Sequence, residues 1–170
     1  TDLTLRLSAE SWIKVAQSST EGPGVASLAS NDGGFNFTPI GQVSGTNISA
    51  DASRVDTSLG LTDVFHGAKG RVTFYTQTLD AGYSAPGLVT TTDTQQNGGA
   101  LTLPVTERIS VNAKADKTTR VLGLNTSASE LDLGYQWTDH WLLSTGYRKD
   151  SRQDDSLIVP LTQVQGDRTD

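Results

Sequence analysis

The sequence predicts an all-β chain built from antiparallel hairpins, and three observations carry that prediction. The 170 residues include 17 Gly and 23 Thr, a balance that favours strands and turns over helices. Apolar and polar residues alternate with a period of two over several segments. The alternating segments also come in pairs, and a short loop places both apolar series of a pair on the same face.

From the N-terminus, Leu3, Leu5 and Leu7 alternate with Thr4, Arg6 and Ser8, a short strand. Ser11 to Ala16 reads as a second. Between Gln17 and Gly45, Glu21-Gly22-Pro23-Gly24, Asn31-Asp32-Gly33-Gly34 and Pro39-Ile40-Gly41 are turn formers, so this stretch reads as short strands and loop. Trp12, Phe35 and Phe37 are expected to pack inward as a small core, the lesser alternative being that they line a sugar-binding surface. The texture changes near Ser44, dividing the chain into residues 1–44 (a plug, a linker or the first strands of a wall) and residues 45–170, a hairpin region.

The first hairpin of that region sets Val55, Thr57, Leu59 and Leu61 against Val72, Phe74 and Thr76. In the second, a three-residue loop, Thr106-Glu107-Arg108, pairs Val105 with Ile109, Leu103 with Val111 and Leu101 with Ala113. Pro104 has no amide to donate, so its nitrogen must point away from the ladder or lie at a bulge. The third is the clearest. Leu131, Leu133, Tyr135 and Trp137 face Tyr147, Thr145, Leu143 and Trp141 across Thr138-Asp139-His140, with Glu130 opposite Arg148 on the polar face. A two-residue loop would slip the register by one and mix the faces. Each first strand ends on an apolar-Thr-acid triplet: Leu61-Thr62-Asp63, Val105-Thr106-Glu107 and Trp137-Thr138-Asp139. Residues 80–99, 116–129 and 149–155 read as long polar connections, so short turns lie at one end and long loops at the other.

The chemistry is sparse. A net charge of −6 and scattered lysines argue against nucleic acid. The absence of Cys excludes disulfides and thiolate metal sites. His66 and His140 stand alone in loops, and no nucleophile elbow, phosphate loop or dinucleotide fingerprint occurs. Asp150, Asp154 and Asp155 lie among Arg148, Lys149 and Arg152, a mixed-charge loop rather than a calcium site. No catalytic residue, cofactor or metal is expected. No apolar run reaches the ~20 residues of a spanning helix, and the opening Thr1-Asp2 reads as a mature product or an excerpt.

A ribbon with one greasy and one polar face suits either a soluble sheet over a core or a barrel wall in lipid. Leu131 to Arg148 resembles a strand–turn–strand unit of Gram-negative outer-membrane β-barrels. Val55 to Asp170, including Gly70 to Tyr75 and Val159 to Gln163, is similar to the barrel portion of large bacterial surface proteins. The resemblance implies a non-catalytic wall segment in the outer membrane or at the cell surface, with loops exposed for adhesion, pore or partner contact. It makes Leu101, Leu103, Val105, Ile109, Val111, Leu131, Leu133 and Leu143 the lipid-facing series, and Tyr135, Trp137, Trp141 and Tyr147 interface aromatics. The partners implied are a lipid bilayer or neighbouring protein chains. About six strands follow residue 44, so closure at the eight or more of known barrels needs the N-terminal strands, further sequence or copies of the chain. The alternative is a soluble β-sandwich or a fibre-forming surface subunit, in which the same apolar residues are buried by protein.

Overall fold

The computed structural model describes residues 1–30, 36–65, 67–86, 88–155 and 166–170. The turn at Asn31 to Gly34, Phe35, His66 and the segment Val159 to Gln163 lie outside them.

The fold is all-β and antiparallel. Strands β1 (Asp2–Arg6), β2 (Trp12–Gly22), β3 (Val25–Ala29), β4 (Thr38–Val43), β5 (Ile48–Gly60), β6 (Arg71–Leu79), β7 (Ser84–Ala85), β8 (Leu88–Val89), β9 (Thr94–Pro104), β10 (Ile109–Arg120), β11 (Leu124–Thr138), β12 (Trp141–Asp154) and β13 (Gly166–Thr169) follow one another, with one helical turn, α1 (Leu61–Val64). Nine of them form a single open sheet in the order β1-β2-β5-β6-β9-β10-β11-β12-β13, with β3-β4 and β7-β8 as separate two-stranded hairpins. β2 pairs with β5, so residues on both sides of Ser44 share the sheet.

The anticipated registers hold for most pairs. Leu59 lies opposite Val72 and Thr57 opposite Phe74; Leu103 faces Val111 and Leu101 faces Ala113. Leu131, Leu133 and Tyr135 oppose Tyr147, Thr145 and Leu143, and Glu130 opposes Arg148. The tip of the third hairpin departs from expectation. Thr138, not Trp137, pairs with Trp141, and the register shifts between Gln136 and Thr138. The loop is thus the two residues Asp139-His140, and Trp137 is the extra residue that preserves the faces below. A bulge does here what a longer loop was expected to do.

Large parts of three supposed connections prove to be strand. Residues 94–99, 116–120, 124–129 and 149–154 extend β9, β10, β11 and β12, leaving only 121–123 between β10 and β11. Pattern reading misses them because both of their faces are polar, which erases the period-two signal while the backbone ladder continues. Phe37 does not pack inward; it is exposed. Trp12 lies opposite Ser58, half-buried within the large sheet rather than in an aromatic core.

Pro104 meets its constraint by direction. The Val105 amide donates to Ile109 at 2.9 Å, so by alternation the nitrogen of Pro104 faces β6, whose pairing with β9 begins only at Arg71–Thr102. No ladder bond is lost there.

Candidate functional site

Following direct cross-strand neighbours from β1 to β12 collects Leu3, Leu5, Ile13, Val15, Val55, Leu59, Val72, Phe74, Leu101, Leu103, Ala113, Val111, Ile109, Leu131, Leu133, Tyr135, Leu143 and Tyr147 on one face. In a water-soluble sheet this face would be sheltered. Here the phase is inverted. Along β11, Leu131, Leu133 and Tyr135 are exposed at 51%, 45% and 41%, while Asp132, Gly134 and Gln136 between them are half-buried. Along β2, Ile13 and Val15 are exposed and Trp12, Lys14 and Ala16 are half-buried. On these two strands the polar face is the more sheltered one, whereas on β9 and β10 Leu101, Leu103, Val111 and Ala113 are half-buried and Thr102, Lys114 and Asp116 exposed.

The apolar residues do not fill the sheet evenly but run as an oblique stripe. Val15 aligns across the ladder with Val55, Thr76, Asn97, Lys117, Ser127 and Ser151. On β11 and β12 the apolar positions instead lie toward the turns, from Leu131 to Tyr135 and from Tyr147 to Trp141. Counted from Leu3 on β1, which pairs with Val15, the stripe thus drifts by roughly six residues over seven strand steps, a slope of about 30° for ~3.3 Å per residue and ~4.8 Å per strand. Strands of closed barrels tilt by roughly 35–45° to the axis, and a level band around such a barrel crosses its strands obliquely. Trp137 and Trp141 end the stripe at one hairpin tip, 61% and 69% exposed. Tyr147 stands at the opposite margin of the band on β12.

The other face carries the charges in linked pairs. Lys14 reaches Asp2 at 3.3 Å. Arg54 grips Asp56 through Nε (2.8 Å) and Nη2 (2.7 Å), and donates from Nη1 to Gln77. Its guanidinium sits over the Tyr75 ring, 4.7 Å from the centroid, and the Tyr75 hydroxyl donates to Asp116. Glu130 joins Lys114 (3.9 Å) to Arg148 (3.4 Å), and Arg148 also binds Asp150 at 2.9 Å. The hydrogen bond and charge of Asp150 raise the Arg148 pKa, and the same bond lowers that of Asp150. Asp155, grouped with Asp150 in the mixed-charge segment, instead accepts from Asn125 and Gln153. Pairs this exposed are weak, so they keep a polar face charged and ordered rather than holding the sheet together.

Small residues make the room these side chains need. Tyr75 and Phe74 lie opposite Gly98 and Gly99, and a Cβ at either glycine would stand 2.4 Å from the Tyr75 ring or 2.9 Å from the Phe74 ring. Each aromatic covers a glycine, one on each face of the sheet.

The two ends of the sheet differ. At one end lie the turns 7–11, 61–70, 105–108 and 139–140. There Ser8 and Ser11 both donate to Asp63, tying the β1–β2 turn to α1 and depressing the Asp63 pKa, Ser11 contributing most. Thr106, of the repeated triplet, accepts the Arg108 and Ile109 amides at 3.2 and 3.0 Å, and Thr138 accepts from His140 at 3.4 Å. At the other end the 23–47 and 80–93 segments carry the small hairpins. Tyr83 packs with Ala50, Ala52 and Leu79 into the buried cluster of the described residues, bonding Ser18 at 2.7 Å. Ser18, Ala50 and Ala52 belong to the polar face, so this segment folds over one end of it. Sequence reading missed that cover, since Tyr83 stands alone among turn formers.

No protein-family model, curated protein or solved structure matches the chain.

Proposed function

We propose that this chain forms a wall segment of a bacterial outer-membrane β-barrel. Its work is structural: the oblique apolar stripe lies in lipid, the charged face lines an aqueous interior, and the long segments at one end meet the outside for adhesion or partner contact. The single observation that carries this reading is the inverted phase of burial along β2 and β11, with Ile13, Val15, Leu131, Leu133 and Tyr135 outward and Lys14, Asp132 and Gln136 half-buried. Fully withdrawing a Val, Leu or Phe from water is worth roughly 1.5–3 kcal/mol, so an uncovered stripe of such residues is costly in water and favourable in a bilayer. The indoles at the hairpin tip fit the membrane–water boundary, where an apolar ring with a polar N–H is at home. Polar strand extensions beyond the stripe fit a wall that continues past the hydrocarbon.

The test is refolding with and without phospholipid vesicles. The reading expects β-structure to form with vesicles, and bromine-labelled acyl chains to quench Trp137 and Trp141. A folded, monodisperse monomer in plain buffer that leaves vesicles unbound would overturn it in favour of the soluble β-sandwich.

A further inference from the structure

The charges of β9 to β12 are sorted by face, and two lysines break the sorting. Lys117 and Lys149 stand on the apolar face, while every other charged residue of these four strands lies on the polar one. Lys149 aligns across the ladder with Ser129, Ala115, Gly99 and Phe74, and Lys117 with Ser127 and Ser151. The lysines therefore flank β11 from either side, with Ser127 and Ser129 between them. Among the described residues, none of these lysine and serine side chains has a hydrogen-bond or ion-pair partner. They line one side of a trough of about 1040 Å³. Val72, Phe74 and Leu101 line its other side, and the small residues Gly99, Ala113 and Ala115 lower the floor between. Asp167, opposite Ser151, is the one carboxylate that this face brings to the trough among the described residues.

The trough lies at the margin of the apolar stripe away from Trp137 and Trp141. Along β12 the run from Trp141 to Lys149 covers about 26 Å at ~3.3 Å per residue, or ~20 Å along the membrane normal for a strand tilted by roughly 40°. That is close to the ~25 Å apolar band of an outer-membrane wall, so the ammonium groups stand at the boundary opposite the indoles. An ammonium without a counter-ion beside hydrocarbon is costly, but its stem can lie on apolar surface while its head reaches a lipid phosphate. We propose that this trough binds one anionic membrane lipid. Its acyl chain lies on Phe74, Leu101 and Ala113, and its phosphate sits between Lys117 and Lys149 over the hydroxyls of Ser127 and Ser129. A lipid, rather than a free phosphate, is the occupant because the cations adjoin an apolar wall that a free ion would leave uncovered. The proposal rests on the barrel-wall reading and adds to it the headgroup that the wall selects.

Tyr147 is exposed beside Lys149 on the same face, so Tyr147→Trp places a reporter at the trough while Trp137 and Trp141 report the far boundary. Chains are refolded in phosphatidylcholine vesicles containing a small fraction of phosphatidylglycerol with brominated acyl chains, or the same fraction of brominated phosphatidylcholine. The anionic lipid should quench the added emission of Tyr147→Trp preferentially, and should show no such preference at Trp137 and Trp141. Each lysine near an anionic surface strengthens attraction roughly fivefold, so Lys117→Gln/Lys149→Gln should lower the preference about 25-fold. Quenching by phosphatidylcholine should persist in that variant, and Asp167→Asn should raise the preference. Lys114→Gln, the same loss of charge on the polar face, should leave it unchanged. A preference that survives loss of both lysines, falls equally with Lys114→Gln, or is abolished by millimolar glycerol phosphate would overturn the proposal and leave the wall reading standing. Emission that neither lipid quenches would sink the wall reading, and the bound lipid with it.

Discussion

Tyr75 shows how one residue joins the two faces of the strand to the charge network. Its ring needs Gly98 beneath it, its π-face takes Arg54, and its hydroxyl donates to Asp116. Asp116→Asn removes the charged acceptor of that hydroxyl, and Tyr75→Phe removes the donor. Each should lower the midpoint of denaturant unfolding, and the double variant should lower it by less than the two losses added. Additive losses would show that the hydroxyl does not depend on Asp116. None of this was legible from the sequence, where Tyr75 and Asp116 are separated by 41 positions and neither belongs to a motif.

At the scale of elements, hairpin pairing was readable wherever water meets one face only. Leu101, Leu103, Val111, Leu131 and Leu133 announce their partners because a slip of one residue would turn every one of them over. Strand ends were unreadable for the complementary reason: Thr94 to Gly99 and Asn125 to Ser129 carry polar or small residues on both faces, so only the backbone records them. The β10–β11 connection is the sharpest case, since what reads as a long polar loop is a turn over 121–123. Leu122 takes a positive φ of 52° there, a conformation that its Cβ disfavours by ~1–2 kcal/mol. It is also exposed, so its side chain contributes little burial. Leu122→Gly should therefore raise stability by about 1 kcal/mol, read from the midpoint of denaturant unfolding with an unchanged slope. A loss of stability would mean that the side chain, not the backbone, governs this turn.

Across the whole molecule the oblique stripe is the property that a bilayer and a protein partner would read differently. The sequence supplied its members, but its slope emerges only when seven registers are added in series, and no single hairpin contains it. In a bilayer, the cost of a charge depends on depth along the membrane normal, roughly 2–4 kcal/mol for Arg at the midplane and ~0–1 kcal/mol near the interfaces. Depth here runs across the stripe, not along any one strand. Val15→Arg, Val72→Arg and Leu133→Arg lie near the stripe's centre line on three different strands, although they occupy three different levels of the ladder. They should cost similar amounts in vesicles. Trp141→Arg, at the margin beside the Asp139-His140 turn, should cost far less despite its larger side chain. If a second protein layer covers this face instead, the cost should follow how deeply each residue is buried by its partner, without regard to the slope. Equilibrium unfolding from lipid vesicles across this set separates the two cases: a single profile in distance from the stripe's centre supports lipid, and a scatter indifferent to it would exclude the bilayer as the stripe's partner.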